Sequence, residues 1–117
     1  MVRRPSPGPL GTAVNVGWGD VWWTEVPHAG RRPVVVLTRP EAIPVLPVVL
    51  VAVATTTVRN LTTEVALDEA DGLPQPCVVN LDTPELAPKS LLIEKIGTLD
   101  DARMVEVCTA LARATNC

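Results

Sequence analysis

The stretch Gly30-Arg31-Arg32-Pro33-Val34-Val35-Val36-Leu37 constrains the chain more than any other. Its β-branched run is stiff about χ1 and suits a buried strand, and two guanidinium groups stand at the mouth of that run behind a glycine. A flexible loop is thereby expected to deliver permanent positive charge to the start of a buried strand, which is a place to hold a phosphate. On these eight residues alone, a solvated loop edge accounts for the Arg-Arg pair equally well.

At 117 residues the chain is one domain, able to bury a single core but small enough for oligomerisation to help it. Hydrophobic residues make up 47% while Phe and Tyr are absent, so Val, Leu, Ile and three Trp must build the core, a strand-rich composition. The net charge of −3 argues against a protein that coats nucleic acid generally. The sum hides an asymmetry: residues 1–60 carry six Arg against three acids, and residues 61–117 carry four basic residues against ten acids. A polyanion is expected to approach the first half.

Cys77, Cys108 and Cys117 are odd in number and lack C-x-x-C spacing, and there is one His, so neither a disulfide framework nor a metal site is indicated. The longest apolar run, residues 43–54, is broken by Pro44 and Pro47 and falls short of the ~20 residues that span a bilayer. Arg3-Arg4 is followed by Pro and Gly rather than by an apolar segment, so no export signal is read and a cytoplasmic protein is expected.

Residues 1–15 hold Pro5, Pro7, Gly8, Pro9 and Gly11 and are expected to be a flexible tail ahead of a domain over residues 16–117. A first strand is expected over residues 20–26, with Val21, Trp23 and Glu25 on one face and Trp22, Thr24 and Val26 on the other. A Trp on each face favours core packing or a subunit interface over base stacking. A second strand is expected over residues 33–39, a turn over 40–44, and a third strand from Val45 or Val48 to Thr56. A loop over residues 59–63 leads to a fourth strand over 64–67, an acidic turn over 68–76 and a fifth strand over 77–81. Pro84 and Pro88 make residues 83–88 an edge or a loop. A short helical turn over 89–93 and a last strand over 94–99 follow. Asp100 reads as the N-cap of a helix over residues 101–115, whose apolar stripe is Met104, Val107, Cys108, Leu111 and Ala112. Cys108 is expected to be a small core residue.

The order Gly19-Asp20-Val21-Trp22-Trp23, Gly30-Arg31-Arg32-Pro33-Val34-Val35-Val36, Val51-Ala52-Val53-Ala54-Thr55-Thr56 resembles the MazF/PemK family of toxin endoribonucleases. The likeness continues through Val78-Val79-Asn80-Leu81-Asp82, Lys89-Ser90 and Ile96-Gly97-Thr98-Leu99-Asp100-Asp101-Ala102-Arg103-Met104, and so covers residues 17–113. The run of five or six short strands and one helix indicates a mainly β fold, a bent antiparallel sheet with a C-terminal helix packed against it, and the resemblance sharpens this to the SH3-like small barrel of these toxins, as a homodimer. It implies metal-independent cleavage of single-stranded RNA with no cofactor, leaving a 2′,3′-cyclic phosphate and a 5′-hydroxyl, and control by a cognate antitoxin.

The same resemblance places an active-site hydroxyl at Thr55, with Thr56 as the alternative, though plain β-propensity also accounts for three threonines. Arg32 is the candidate for stabilising the phosphorane, because a guanidinium does not deprotonate. Arg31, Arg32 and Thr56 are the candidate RNA-binding residues. His28, in the first hairpin loop, has the unperturbed pKa of about 6.5 that suits proton transfer; the general base stays open between His28 and a substrate-assisted route. Many relatives carry a Glu in this loop, near the place where this chain has Pro27. They also usually carry Gln and Arg where Thr83 and Glu85 stand, and Glu85 would repel phosphate, so no substrate contact is carried to that segment. Two other functions are open: a gyrase-directed toxin of the same fold, whose contact depends on a Trp at the extreme C-terminus where this chain has Thr115-Asn116-Cys117, and a catalytically silent RNA- or partner-binding module.

Overall fold

Strands β1 (Asp20–Val26), β2 (Gly30–Val36), β3 (Val48–Thr55), β4 (Glu64–Leu67), β5 (Cys77–Pro88) and β6 (Leu92–Thr98) form one antiparallel sheet, and helix α1 (Asp101–Thr115) follows. The computed structural model describes residues 15–27 and 29–117. Residues 1–14 of the expected tail and the candidate base His28 lie outside the described residues. The spatial order is β4-β5-β3-β2-β1-β6. The sheet bends into a half-barrel with α1 against it, so the expected mainly β fold with a C-terminal helix is the one observed.

The bend has a cause in β5. Val53, Ala54 and Thr55 of β3 face Asn80, Val79 and Val78, whereas Val48, Val49, Leu50 and Val51 face Pro88, Ala87, Leu86 and Glu85. Four residues of β5, 81–84, therefore stand opposite the single residue Ala52. Because side chains alternate with a period of two, this excess of three reverses the faces of β5 along its length. Val79 and Leu81 pack with Met104 and Val107 of α1, while Ala87 packs with Trp22, Val34 and Val36 on the opposite side of the sheet. One strand thus serves two cores. Residues 83–88, expected to be an edge or a loop, are strand, and they form an edge because β4 pairs only with residues 77–80 of β5. Pro84 falls within the irregular stretch and Pro88 at the strand end, where a missing N–H leaves no ladder bond unmade.

Asp20, only 3% exposed, holds the start of the sheet together. Its carboxylate accepts from Gly17 N at 2.7 Å, from Trp22 Nε1 at 3.3 Å and from Thr98 Oγ1 at 2.8 Å, and Lys95 Nζ lies 3.5 Å away. These donors come from the turn before β1, from β1 itself and from β6. Gly19 in the same turn has φ +82°, and a Cβ there would lie 3.2 Å from Met104 Sδ, so glycine permits both the turn and the approach of α1.

Helix α1 begins where expected, with the Asp100 carboxylate accepting from Arg103 N at 2.8 Å. Its buried residues are Met104, Val107 and Ala110, with Leu111 and Ala114 packed beside them. Cys108 and Ala112, expected on the buried stripe, are exposed. Each residue advances about 100° round a helix, so Cys108 stands a quarter-turn from Val107, which faces the sheet most directly. Other boundaries also differ from expectation: β2 ends at Val36 rather than at residue 39, β3 ends at Thr55 rather than at Thr56, and β6 runs over Leu92–Thr98 rather than 94–99, the helical turn before it being confined to Lys89–Leu91.

A one-turn helix, Glu69–Asp71, precedes the loop that leads into β5, and Asp68 caps it reciprocally with Asp71. Arg103 of α1 clamps this turn, donating from Nε to Asp71 Oδ1 at 3.1 Å and from Nη2 to Oδ2 at 3.0 Å. Burial pushes the Asp71 carboxyl upward, but hydrogen bonds from Arg103 and the Asp68 backbone, with the Arg103 charge, outweigh it and hold the group below its ordinary value. A depressed folded-state value means that the stabilisation is complete above the unfolded value of about 3.9 and is lost as pH falls through the folded one. Asp71→Asn is therefore expected to lower unfolding stability by roughly 1.5–3 kcal/mol at pH 7, with the deficit against the parent narrowing below about pH 4. Urea unfolding across this range checks it, and a deficit unchanged at pH 3 would show that the carboxylate's charge contributes nothing.

Candidate active site

The ladder between β2 and β3 pairs Val34 with Val53, Val35 with Ala52 and Val36 with Val51. Carried two and three residues further, that register sets Arg32 across from Thr55 and Arg31 across from Thr56. All four residues line one cavity of about 160 Å³ at this end of the sheet. Its apolar wall continues across the strands through Trp23, Pro33 and Ala54, and Leu73, Pro74, Gln75 and Cys77 close the far side. Among the lining residues the two guanidinium groups are the only permanent charges.

The arginines are not in a loop before the strand, as expected, but within it: β2 starts at Gly30, and Arg31 and Arg32 pair with Glu25 and Thr24 of β1. Gly30, at φ +77°, allows the hairpin to close and the strand to start three residues ahead of the expected residue 33. The two side chains are held differently. Arg32 is half-buried and donates from Nε to the Ala29 carbonyl at 3.1 Å, a bond to the hairpin turn that leaves its Nη groups free to meet an anion. Arg31 places Cζ 5.6 Å from the Trp23 ring centroid and makes a loose pair with Glu94 at 3.9 Å.

Thr55 is half-buried, and its Oγ1 accepts from the Thr57 N–H at 3.1 Å. That bond occupies an acceptor lone pair and leaves the hydroxyl proton available for donation. Thr56 is exposed at the rim. Burial and then the negative charge of Asp71 push the Cys77 thiol above its ordinary range, so at neutral pH it is a protonated wall of the pocket and not a nucleophile. Among the described residues no three His, Cys, Asp or Glu side chains converge on a point. The arrangement offers a fixed cation and a hydroxyl donor on adjacent strands, suited to an oxyanion that gains charge.

A cleft that attracts phosphate attracts carboxylates too, so most of the acids of residues 61–117 are expected to face away from it. None lines the cavity, and Glu94 alone among them reaches one of its arginines. Glu85 sits with Glu25 in a separate hollow. Sequence reasoning missed the far wall, residues 73–75, which it assigned to an acidic turn, and it placed Trp23 in the core or an interface. Trp22 is that core residue, 8% exposed, whereas Trp23 is half-buried at the pocket. Alternation along β1 and the Arg31 position on β2 carried the signal, had the strand start been set at Gly30.

The model of PemK-like, MazF-like toxins of type II toxin-antitoxin systems matches residues 18–115. The chain is 48% identical over 100 residues to the probable endoribonuclease MazF5 of Mycobacterium tuberculosis (strain ATCC 25618 / H37Rv), over 85% of this chain and 92% of that protein. Endoribonuclease MazF3 of Mycobacterium tuberculosis (strain CDC 1551 / Oshkosh) is 42% identical over 83 residues, 71% of this chain and 81% of that one. Among solved structures, Mycobacterium tuberculosis toxin MazF-mt6 superposes with a TM-score of 0.77 at 36% identity, covering 83% of this chain and 96% of the other. An endoribonuclease in complex with its cognate antitoxin, from a mycobacterial species, gives 0.78 at 28% identity, covering 86% and 95%. A family match spanning the whole sheet and α1, with relatives 48% and 42% identical, leads to one statement: this chain belongs to the PemK/MazF family of type II toxin-antitoxin toxins.

Proposed function

We propose that this chain is an endoribonuclease toxin that cleaves single-stranded RNA in the cytoplasm, without a metal, at the Arg32–Thr55 cavity. The observation that carries the reading is the convergence of Arg31, Arg32, Thr55 and Thr56 on one cavity whose lining includes no carboxylate. The names of its relatives, endoribonucleases MazF5 and MazF3, support the activity over a gyrase-directed or catalytically silent role.

In this reaction the substrate's 2′-oxygen attacks the adjacent phosphorus, a phosphorane forms, and the 5′-oxygen leaves and is protonated. The products are a 2′,3′-cyclic phosphate and a 5′-hydroxyl. Arg32, anchored at Nε by Ala29, turns its remaining N–H groups to the phosphorane oxygens, where charge develops. Thr55, whose hydroxyl is oriented by the Thr57 N–H, donates to a phosphoryl oxygen. Proton removal from the 2′-hydroxyl falls to His28 or to the substrate itself. Arg31 and Thr56 contribute to RNA binding.

The chain acts as a homodimer held by a cognate antitoxin. Exposed Leu86, Leu91, Ile93 and Val105 supply apolar surface for such contacts. A cleft that attracts phosphate also attracts the carboxylates of a disordered acidic segment.

Arg32→Ala is expected to reduce cleavage about 100- to 1,000-fold in a protein that unfolds at the parent's denaturant midpoint; undiminished cleavage would remove Arg32 from the mechanism. Thr55→Ala should lower kcat more than it weakens RNA binding, because the hydrogen bond forms best in the transition state. An equal or larger kcat loss in Thr56→Ala would transfer the role to the neighbour. The cognate antitoxin and a non-cleavable RNA should compete in a binding titration, and antitoxin affinity unchanged by saturating RNA would locate inhibition elsewhere.

A further inference from the structure

The two arginines carry the same charge but are built for different tasks. Arg32 is tied by Nε to the hairpin turn and lines the cavity together with Thr55, whereas Arg31 lies over the Trp23 ring, with only a 3.9 Å contact to the exposed Glu94. The Arg31 side chain is half exposed where it lies over the indole, and planar guanidinium groups and aromatics are what unstacked nucleobases rest on. Behind the plate the wall is apolar, made by Pro33, Ala54, Leu73 and Pro74, and Gln75 brings a carboxamide that both donates and accepts. The volume, about 160 Å³, is well below the roughly 300–1,000 Å³ of pockets that enclose a drug-sized ligand. It suits one ring system.

We propose that Trp23, Arg31 and the Leu73–Gln75 wall form a subsite for one nucleobase next to the scissile phosphate, with Arg31 acting as a stacking plate rather than as a clamp on the backbone. The proposal rests on the reading of this cavity as an RNA-cleaving site and assigns its sequence selectivity to a defined place. Arg32 and Thr55 hold the phosphate, which every RNA presents alike. Selection comes from the ring seated on Arg31 and from its edge against Gln75. Arg31 is held against Trp23 by the β1–β2 ladder, which pairs Glu25 with Arg31 and Trp23 with Pro33.

The test uses the full chain and a single-stranded oligoribonucleotide containing a cleavage site mapped with the parent protein and blocked by a 2′-deoxy sugar. A series of the same oligonucleotide carries one abasic position at a time, and affinity is measured against salt for the parent, Arg31→Lys, Trp23→Leu and Arg32→Ala. The parent is expected to lose roughly 5- to 100-fold in affinity at one abasic position beside the blocked bond. Arg31→Lys, which keeps the charge and loses the plane, should show a similar loss on intact RNA, an unchanged salt slope, and no further loss at that abasic position. Trp23→Leu should behave like it. Arg32→Ala should shift the salt slope by about 0.7, one phosphate contact on a single strand, and remain sensitive to the abasic position. Arg31→Lys binding as tightly as the parent, or losing affinity additively with the abasic site, would overturn the stacking assignment while leaving RNA cleavage intact. A parent protein that neither binds nor cleaves RNA would overturn the functional reading beneath it.

Discussion

The register between β2 and β3 is the constraint on which the rest depends. A slip of one residue would turn Val34 and Val36 out of the core they share with Trp22 and Ala87, and Val35 out of the core it shares with α1. Burial of these three side chains, each 0% exposed, therefore pins the pairing. The same pairing brings Arg32 and Thr55 to neighbouring positions at the open end of the ladder. The site inherits its precision from the core, since two polar side chains on adjacent strands are placed by hydrophobic residues two and three positions away.

The far wall of the site is fixed from another direction. Leu73, Pro74 and Gln75 follow the turn that Arg103 of α1 clamps through Asp71. The helix thus does more than cover the sheet, because its first turn also positions one side of the cavity. Asp20 plays the complementary part at the start of the sheet, joining the Gly17 turn, β1 and β6, so the Gly-Asp motif is structural rather than chemical. The chain separates the two duties: buried carboxylates organise the scaffold, and no carboxylate lines the cavity.

Most of the fold could be read from local pattern. The bounds of β1, β4 and α1 follow from alternation, turn residues and the Asp100 cap, and the structure keeps them as expected. The arginine pair and Thr55 were also evident, although Thr55 was singled out through the family resemblance and not by spacing. What escaped was set by tertiary context. The reach of β5 through Pro84 depends on a bulge against β3 that no local propensity encodes. The exposure of Cys108 depends on which 100° sector of α1 the sheet selects, and the stripe alone admits either neighbour of Met104. Trp23 was assigned to packing because two adjacent tryptophans look alike in sequence, and only the pairing of β1 with β2 gives one to the core and the other to the cavity.

If Arg32 and Thr55 form a metal-independent site for internal phosphoryl transfer, the products carry its signature. The most direct measurement is to incubate the purified protein with single-stranded RNA in excess EDTA and identify the chemical groups at the new ends. The account requires cleavage that persists in the chelator and leaves 2′,3′-cyclic phosphate and 5′-hydroxyl ends. Cleavage abolished by EDTA and restored by a divalent cation, or products bearing 5′-phosphates, would contradict it.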